Sequence, residues 1–107
     1  MAGPTLSTHV LDTGAGRPAA GVAVAVYRGD DLLGSGTTDA DGRIKELAPG
    51  ALAEGTHRLV FDVGGYFAKG EAFFFRRVAL DVELAATGHH HVPLLVSRHG
   101  LVSYRGS

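Results

Sequence analysis

The chain has 107 residues, room for one domain and hardly for two. Hydrophobic residues make up 45% and charged residues 20%, a globular balance that argues against disorder. A net charge of -1 supplies no field for nucleic acid or an anionic membrane, and the absence of cysteine excludes disulfides, thiolate nucleophiles and Cys-based zinc sites. Sixteen glycines favour many turns over long helices. In chain order, Thr5 to Asp12 alternates, with Leu6, Thr8 and Val10 on one face and Ser7, His9 and Leu11 on the other. Thr13 to Pro18 reads as a loop. Gly21 to Arg28 is the clearest strand, with Val22, Val24 and Val26 sharing a face. Gly29-Asp30-Asp31 turns the chain into a strand from Leu32 to Thr38. Asp39 to Gly42 forms another turn before a short strand from Arg43 to Leu47.

A loop from Ala48 to Gly55 precedes a strand from His57 to Val63, in which Leu59 and Phe61 face opposite to Val60 and Asp62. Tyr66 to Gly70 is expected to form a helical turn or two, ended by Gly70. Phe73 to Leu84 reads as a strand with Val78, Leu80, Val82 and Leu84 on one parity. His91 to Ser97 and Leu101 to Tyr104 complete seven or eight strands. Turn signals about every ten residues imply an antiparallel sandwich rather than alternating β-α units. No repeat, linker or low-complexity segment interrupts the pattern, so residues 1–107 are read as one domain. No apolar run approaches the 18 or more residues of a membrane helix. Met1-Ala2-Gly3-Pro4 has neither the basic stretch nor the apolar core of a secretory leader, and a cytoplasmic location is expected.

Four segments hold candidate chemistry. In Gly88-His89-His90-His91-Val92-Pro93, a strand would place His89 and His91 on one face. That pair could serve acid–base chemistry, could supply two metal ligands if His9, His57 or His99 gave a third, or could be an exposed polar turn. His9 lies in the first strand, where a surface or satisfied core histidine is the common case. Asp41-Gly42-Arg43 is a turn whose arginine is either solvated or held at a strand start, suited to an anion or a polarised carbonyl. Tyr104-Arg105-Gly106-Ser107 follows a strand-like segment closely, as a docked and used tail would. Phe73-Phe74-Phe75 reads as core with one exposed ring, and Arg76-Arg77 as a solvated pair.

Together these segments resemble the 5-hydroxyisourate hydrolases, also called transthyretin-related proteins. Leu6-Ser7-Thr8-His9-Val10-Leu11-Asp12, continued by Pro18-Ala19-Ala20-Gly21-Val22, is similar to the family's N-terminal signature, whose histidine is catalytic. Thr38-Asp39-Ala40-Asp41-Gly42-Arg43 resembles the segment bearing the active-site arginine. His89-His90-His91-Val92-Pro93-Leu94-Leu95 resembles the His-x-His-Val-Pro-Leu-Leu block, in which the second histidine of the pattern is catalytic. Tyr104-Arg105-Gly106-Ser107 resembles the terminal tetrapeptide that separates these enzymes from the hormone-carrying transthyretins. Ser97 to Ser103 departs from the family's Ser-Pro and Gly-Tyr-Ser-Thr pattern but touches none of these residues.

The resemblance implies an all-β, transthyretin-like sandwich of two four-stranded antiparallel sheets with one short helix. It implies a homotetramer with sites between dimers, and no nucleic-acid or membrane partner. The implied reaction is hydrolysis of 5-hydroxyisourate to 2-oxo-4-hydroxy-4-carboxy-5-ureidoimidazoline in urate catabolism, with no metal or other cofactor. His9, Arg43, His91 and Ser107 would be catalytic, and His9, Arg43, His91, Tyr104 and Arg105 would bind substrate. The order of base and acid between His9 and His91 stays open, as do roles for His89, His90 and His99. Two other readings remain: a transthyretin-like carrier of a small aromatic ligand, and a structural or adhesive sandwich.

Overall fold

Period-two alternation of branched apolar residues, punctuated by glycine and aspartate, builds nine strands and one helical turn among the described residues. The structure, a computed structural model, describes residues 3–50, 52–68, 70 and 72–107. The expected features that fall on Met1, Ala2, Ala51 and Lys69 lie outside those residues. In order, the strands are β1 (Thr5–Asp12), β2 (Arg17–Pro18), β3 (Ala23–Arg28), β4 (Asp31–Thr37), β5 (Arg43–Ile44), β6 (Gly55–Asp62), β7 (Val78–Leu84), β8 (His89–Val96) and β9 (Leu101–Ser103). Helix α1 (Val63–Phe67) sits between β6 and β7.

One sheet runs β2-β1-β8-β9, with β5 also paired to β1; the other runs β4-β3-β6-β7. Strands β2 and β5 share one edge of β1, at Leu11–Asp12 and Thr8–His9 respectively. Between the sheets lie the inward parities: Leu6 and Val10 of β1, Val24 and Val26 of β3, Leu59 and Phe61 of β6, and Leu94 and Val96 of β8. Each is at most 2% exposed, so the alternation read from the sequence points the expected faces inward. Val63 and Phe67 of α1 close one side of this core.

The expected all-β sandwich with one short helix is present, with four differences of detail. The first sheet has five strands rather than four, because two two-residue strands divide one edge of β1. It is also not purely antiparallel: β1 and β8 pair in parallel over eight residues. A parallel pair needs a long crossover, and here the whole second sheet lies between the two strands. Local turn spacing holds no trace of such a long-range pairing. The helix begins three residues before the expected Tyr66, because the Asp62 carboxylate accepts the Gly65 amide at 3.0 Å and caps it. Residues 73–77 are not strand: Phe73 and Phe75 lean on the core while Phe74 is 73% exposed.

Buried Thr38 ties this frame to the turn that follows it. Its hydroxyl accepts the Val22 amide at 2.9 Å and donates to the Ala19 carbonyl at 2.7 Å. Thr38→Val preserves the shape but leaves both backbone groups buried without partners. We expect a loss of about 1–3 kcal/mol, read as a lower denaturant midpoint at unchanged slope.

Candidate active site

The outer face of the first sheet gathers the polar side chains that β1 and β8 cannot bury. The parallel register sets Thr5 beside His89, Ser7 beside His91 and His9 beside Pro93. Across the other edge of β1, His9 stands opposite Arg43. Side chains of directly opposed residues share a face, so β1, β5 and β8 deliver Ser7, His9, Arg43, His89 and His91 to one surface.

Arg43 is aimed by the turn before it. The Asp39 carboxylate accepts the Asp41 amide at 2.9 Å and the Arg43 amide at 3.0 Å. These backbone bonds, the Arg43 amide foremost, hold the Asp39 carboxyl below its ordinary range. Gly42 has φ +75°, and a Cβ there would lie 2.4 Å from the Val10 carbonyl oxygen. Glycine is therefore required both by the backbone conformation and by the close approach of the turn to β1. The Gly42 carbonyl in turn accepts the Val10 amide at 2.7 Å.

A cleft of about 320 Å³ opens on this face, lined by Ser7, Thr8, Arg43, Ile44, Lys45, His89, His91 and Ser107. The His9 ring lies next to it, with its centroid 6.4 Å from that of His91. Partial burial lowers the His91 pKa from its ordinary 6.5, and the charges of His9, Arg43 and His89 add to that effect. At neutral pH the ring is thus an unprotonated imidazole, able to accept a proton. Ser7 Oγ lies 2.7 Å from His91 Nδ1 and 2.8 Å from His89 Nε2, and Thr5 Oγ1 lies 2.6 Å from His89 Nδ1.

The tail meets this site from the β9 side. The Gly106 amide donates to the His91 carbonyl at 2.8 Å, in the antiparallel register that β9 begins farther along β8. Ser107 thereby reaches the cleft. Tyr104 and Arg105 line a separate groove of about 390 Å³ beside Leu80, Val82 and Leu84 of β7, which His91 also borders. The structure therefore brings Arg43, His91 and Ser107 around one cleft, sets His9 beside His91, and places Tyr104 and Arg105 on the adjoining groove.

Residues 6–106 match the HIUase/transthyretin family model. The chain belongs to the HIUase/transthyretin family. It is 43% identical over 109 residues to the 5-hydroxyisourate hydrolase of Salmonella dublin, covering 95% of this chain and 80% of that one. Its fold superposes on the 5-hydroxyisourate hydrolase of Klebsiella pneumoniae with a TM-score of 0.89 at 38% identity, covering 96% of this chain and 99% of that one. It also superposes on sea bream transthyretin in complex with thyroxine, with a TM-score of 0.85 at 25% identity, covering 95% and 94%. The HIUase/transthyretin sandwich thus occurs both in named hydrolases and in a thyroxine-bound transthyretin, and side chains rather than fold must separate them.

The other histidines of this family member have structural settings. His90 points inward, accepting the Ala85 amide at Nε2 and approaching the Thr5 carbonyl at 3.3 Å through Nδ1. His57 is fully buried in β6, where Nδ1 donates to the Gly55 carbonyl at 3.0 Å. His99 borders a different concavity, at the Asp12 end of β1. Among the described residues, no group of three or more His, Cys, Asp or Glu is arranged to hold a metal ion. Sequence reasoning passed over Ser7, Thr5 and Lys45 as site residues and left the role of His89 open. The parity of β1 placed Ser7 with His9, but only the β1–β8 register reveals which histidines it meets.

Proposed function

We propose that this chain hydrolyses 5-hydroxyisourate to 2-oxo-4-hydroxy-4-carboxy-5-ureidoimidazoline. The observation that carries this is a serine-held His91 sharing a cleft with Arg43 in a sandwich otherwise like that of the named hydrolases. Nε2 of His91, the nitrogen not engaged by Ser7, takes a proton from water as the oxygen bonds to a ring carbonyl carbon. Arg43 offsets the negative charge that develops on the carbonyl oxygen. Collapse breaks the ring C–N bond, and a proton passes to the leaving nitrogen. His9, whose ring centroid lies 6.4 Å from that of His91, is assigned that donation, which leaves His91 as base and His9 as acid. Ser107 orients water or substrate at the cleft wall, while Tyr104 and Arg105 hold the tail and the substrate's outer edge.

The chain acts as one domain, and its active form is a homotetramer in which a partner dimer covers the open cleft. Exposed Val102 and Tyr104, at 59% and 57%, on and just after edge strand β9 support an interface there. A cytoplasmic setting belongs to the same proposal. No helix of the described residues is long and apolar enough to cross a membrane.

The test generates 5-hydroxyisourate in place from urate and urate oxidase and follows its ultraviolet decay. Acceleration in proportion to protein, absent in His91→Ala, supports hydrolysis. A folded protein that leaves the decay unchanged but retains an aromatic ligand would instead be a carrier. Higher identity to a named hydrolase than to the thyroxine-bound neighbour, 43% against 25%, favours the enzyme.

The sign of the pH dependence follows from His91. Its conjugate acid is disfavoured by burial and then by the charges of His9, Arg43 and His89, so the basic form persists below pH 6.5. The acid limb of kcat/KM is expected to fall with a midpoint below that value. Removing the Arg43 charge is expected to move the midpoint upward. Stability bends in the same direction: with a folded pKa below the unfolded one, the protonated ring favours the unfolded chain. That share of stability is full above pH 6.5 and is lost as pH falls through the lowered value. A pH–rate profile whose acid limb is centred above 6.5 would contradict the assignment of His91 as base.

A further inference from the structure

We propose that Ser7 is a positioning residue that holds His91 in its Nδ1–H tautomer, with His89 and Thr5 keeping the Ser7 proton turned away from His91. This deepens the hydrolase reading and rests on it for its kinetic consequence. The geometry is a chain of three hydrogen bonds: Thr5 Oγ1 to His89 Nδ1 at 2.6 Å, His89 Nε2 to Ser7 Oγ at 2.8 Å, and Ser7 Oγ to His91 Nδ1 at 2.7 Å. Parallel pairing of Thr5 with His89 and Ser7 with His91 produces it, because both strands turn those parities outward.

Proton counting makes the four groups act as one. The serine hydroxyl has a single proton, so it donates to one ring and accepts from the other. If His91 donates from Nδ1, Ser7 donates to His89 Nε2 and His89 donates from Nδ1 to Thr5. His91 Nε2 is then a bare lone pair. In the opposite direction every bond reverses, and His91 Nε2 bears the proton and cannot act as base. The surroundings choose between the two. Arg43 borders the same cleft as His91, and a cation there favours a lone pair over an N–H facing it. At the other end, Thr5 is exposed, so a hydroxyl that accepts from His89 can pass its own proton to solvent. The outward direction satisfies every group.

Labelling the histidine rings with nitrogen-15 tests this without turnover, because the two ring nitrogens separate by chemical shift according to which bears the proton. The wild-type protein near neutral pH is expected to show His91 as the Nδ1–H form. Ser7→Ala removes the acceptor, and the His91 signal should move toward the Nε2–H form. In the in-place assay, Ser7→Ala is expected to lower kcat by about 10–100-fold with little change in KM, the range seen when outer partners of functional histidines are lost. His89→Phe, at an exposed position that does not endanger folding, should act in the same direction. His89→Gln should recover most of the rate, since its amide can still accept from Ser7.

An Nε2–H tautomer in the wild-type protein would overturn the proposal, as would a Ser7→Ala variant with unchanged tautomer and kcat. A Gln variant as slow as the Phe variant would also overturn it, because His89 would then act by titrating rather than by holding Ser7. If the tautomer behaves as expected but 5-hydroxyisourate is not consumed, the assigned reaction fails while the positioning role stands.

Discussion

His91→Ala is expected to lower kcat by about 10²–10⁴-fold, the contribution typical of a positioned proton-transfer group. The fold should survive. His91 contributes to the sheet through its backbone, which alanine retains, and its ring lies on the outer face rather than in the core. What disappears is the proton acceptor itself. Water at the cleft would have to attack without a base, and Ser7 would be left hydrogen-bonded to His89 alone. His9→Ala should fall in the same range if it supplies the leaving nitrogen with its proton. Circular dichroism melts measured alongside the rates separate chemistry from unfolding. Wild-type rates in both variants, at equal folded content, would remove both histidines from the mechanism.

Deleting Tyr104 to Ser107 is expected to have a comparably large effect, about 10²-fold or more in kcat/KM, from loss of cleft wall and substrate positioning together. The deletion takes away Ser107 and frees the His91 carbonyl that the Gly106 amide holds. Gly106→Ala is the sharper test of the same contact. A Cβ at that position would lie 2.6 Å from His91 Cδ2, 3.2 Å from Cγ and 3.4 Å from Cβ. The ring is held from its other side by Ser7, so it has little room to retreat. The tail must lift or the imidazole must tilt, and either displaces a group that the proposed mechanism uses. The expected signature is a large fall in kcat with an unchanged melting temperature, since neither Gly106 nor the outer face of His91 belongs to the core. A truncated protein with normal turnover would exclude the tail from the site.

Much of the frame was legible because its signals are local. Val24 and Val26 alternate with Ala25 and Tyr27, and a twisted sandwich can bury only one of those parities. Asp39 to Gly42 reads as a turn from its residue types, and the hydrogen bonds of Asp39 are those a short acidic side chain makes to its own backbone. The helix lies earlier than expected for an equally local reason: Gly70 suggests a stop, while the cap that starts it is Asp62, four residues before Tyr66. Residues 73–77 misled because three consecutive phenylalanines look like a strand. Here two rings pack onto the core and the third faces solvent without any ladder.

The candidate residues were legible for a different reason, the order of four short blocks and their likeness to one family. Their chemistry was not. The sequence by itself determined that the chain is rich in strands, which parities are apolar, where the turns fall, and that its histidines cluster in one segment. Only the tertiary structure decided that β1 and β8 run parallel, strands nearly the whole chain apart. That pairing sets Ser7 between His89 and His91, while the β1–β5 register brings Arg43 across from His9 and the register continued from β9 along β8 seats Gly106 on the His91 ring. Side-chain period reports which face a residue takes, and register alone reports its neighbours; register is fixed by burial of the whole core, which no local window of sequence contains.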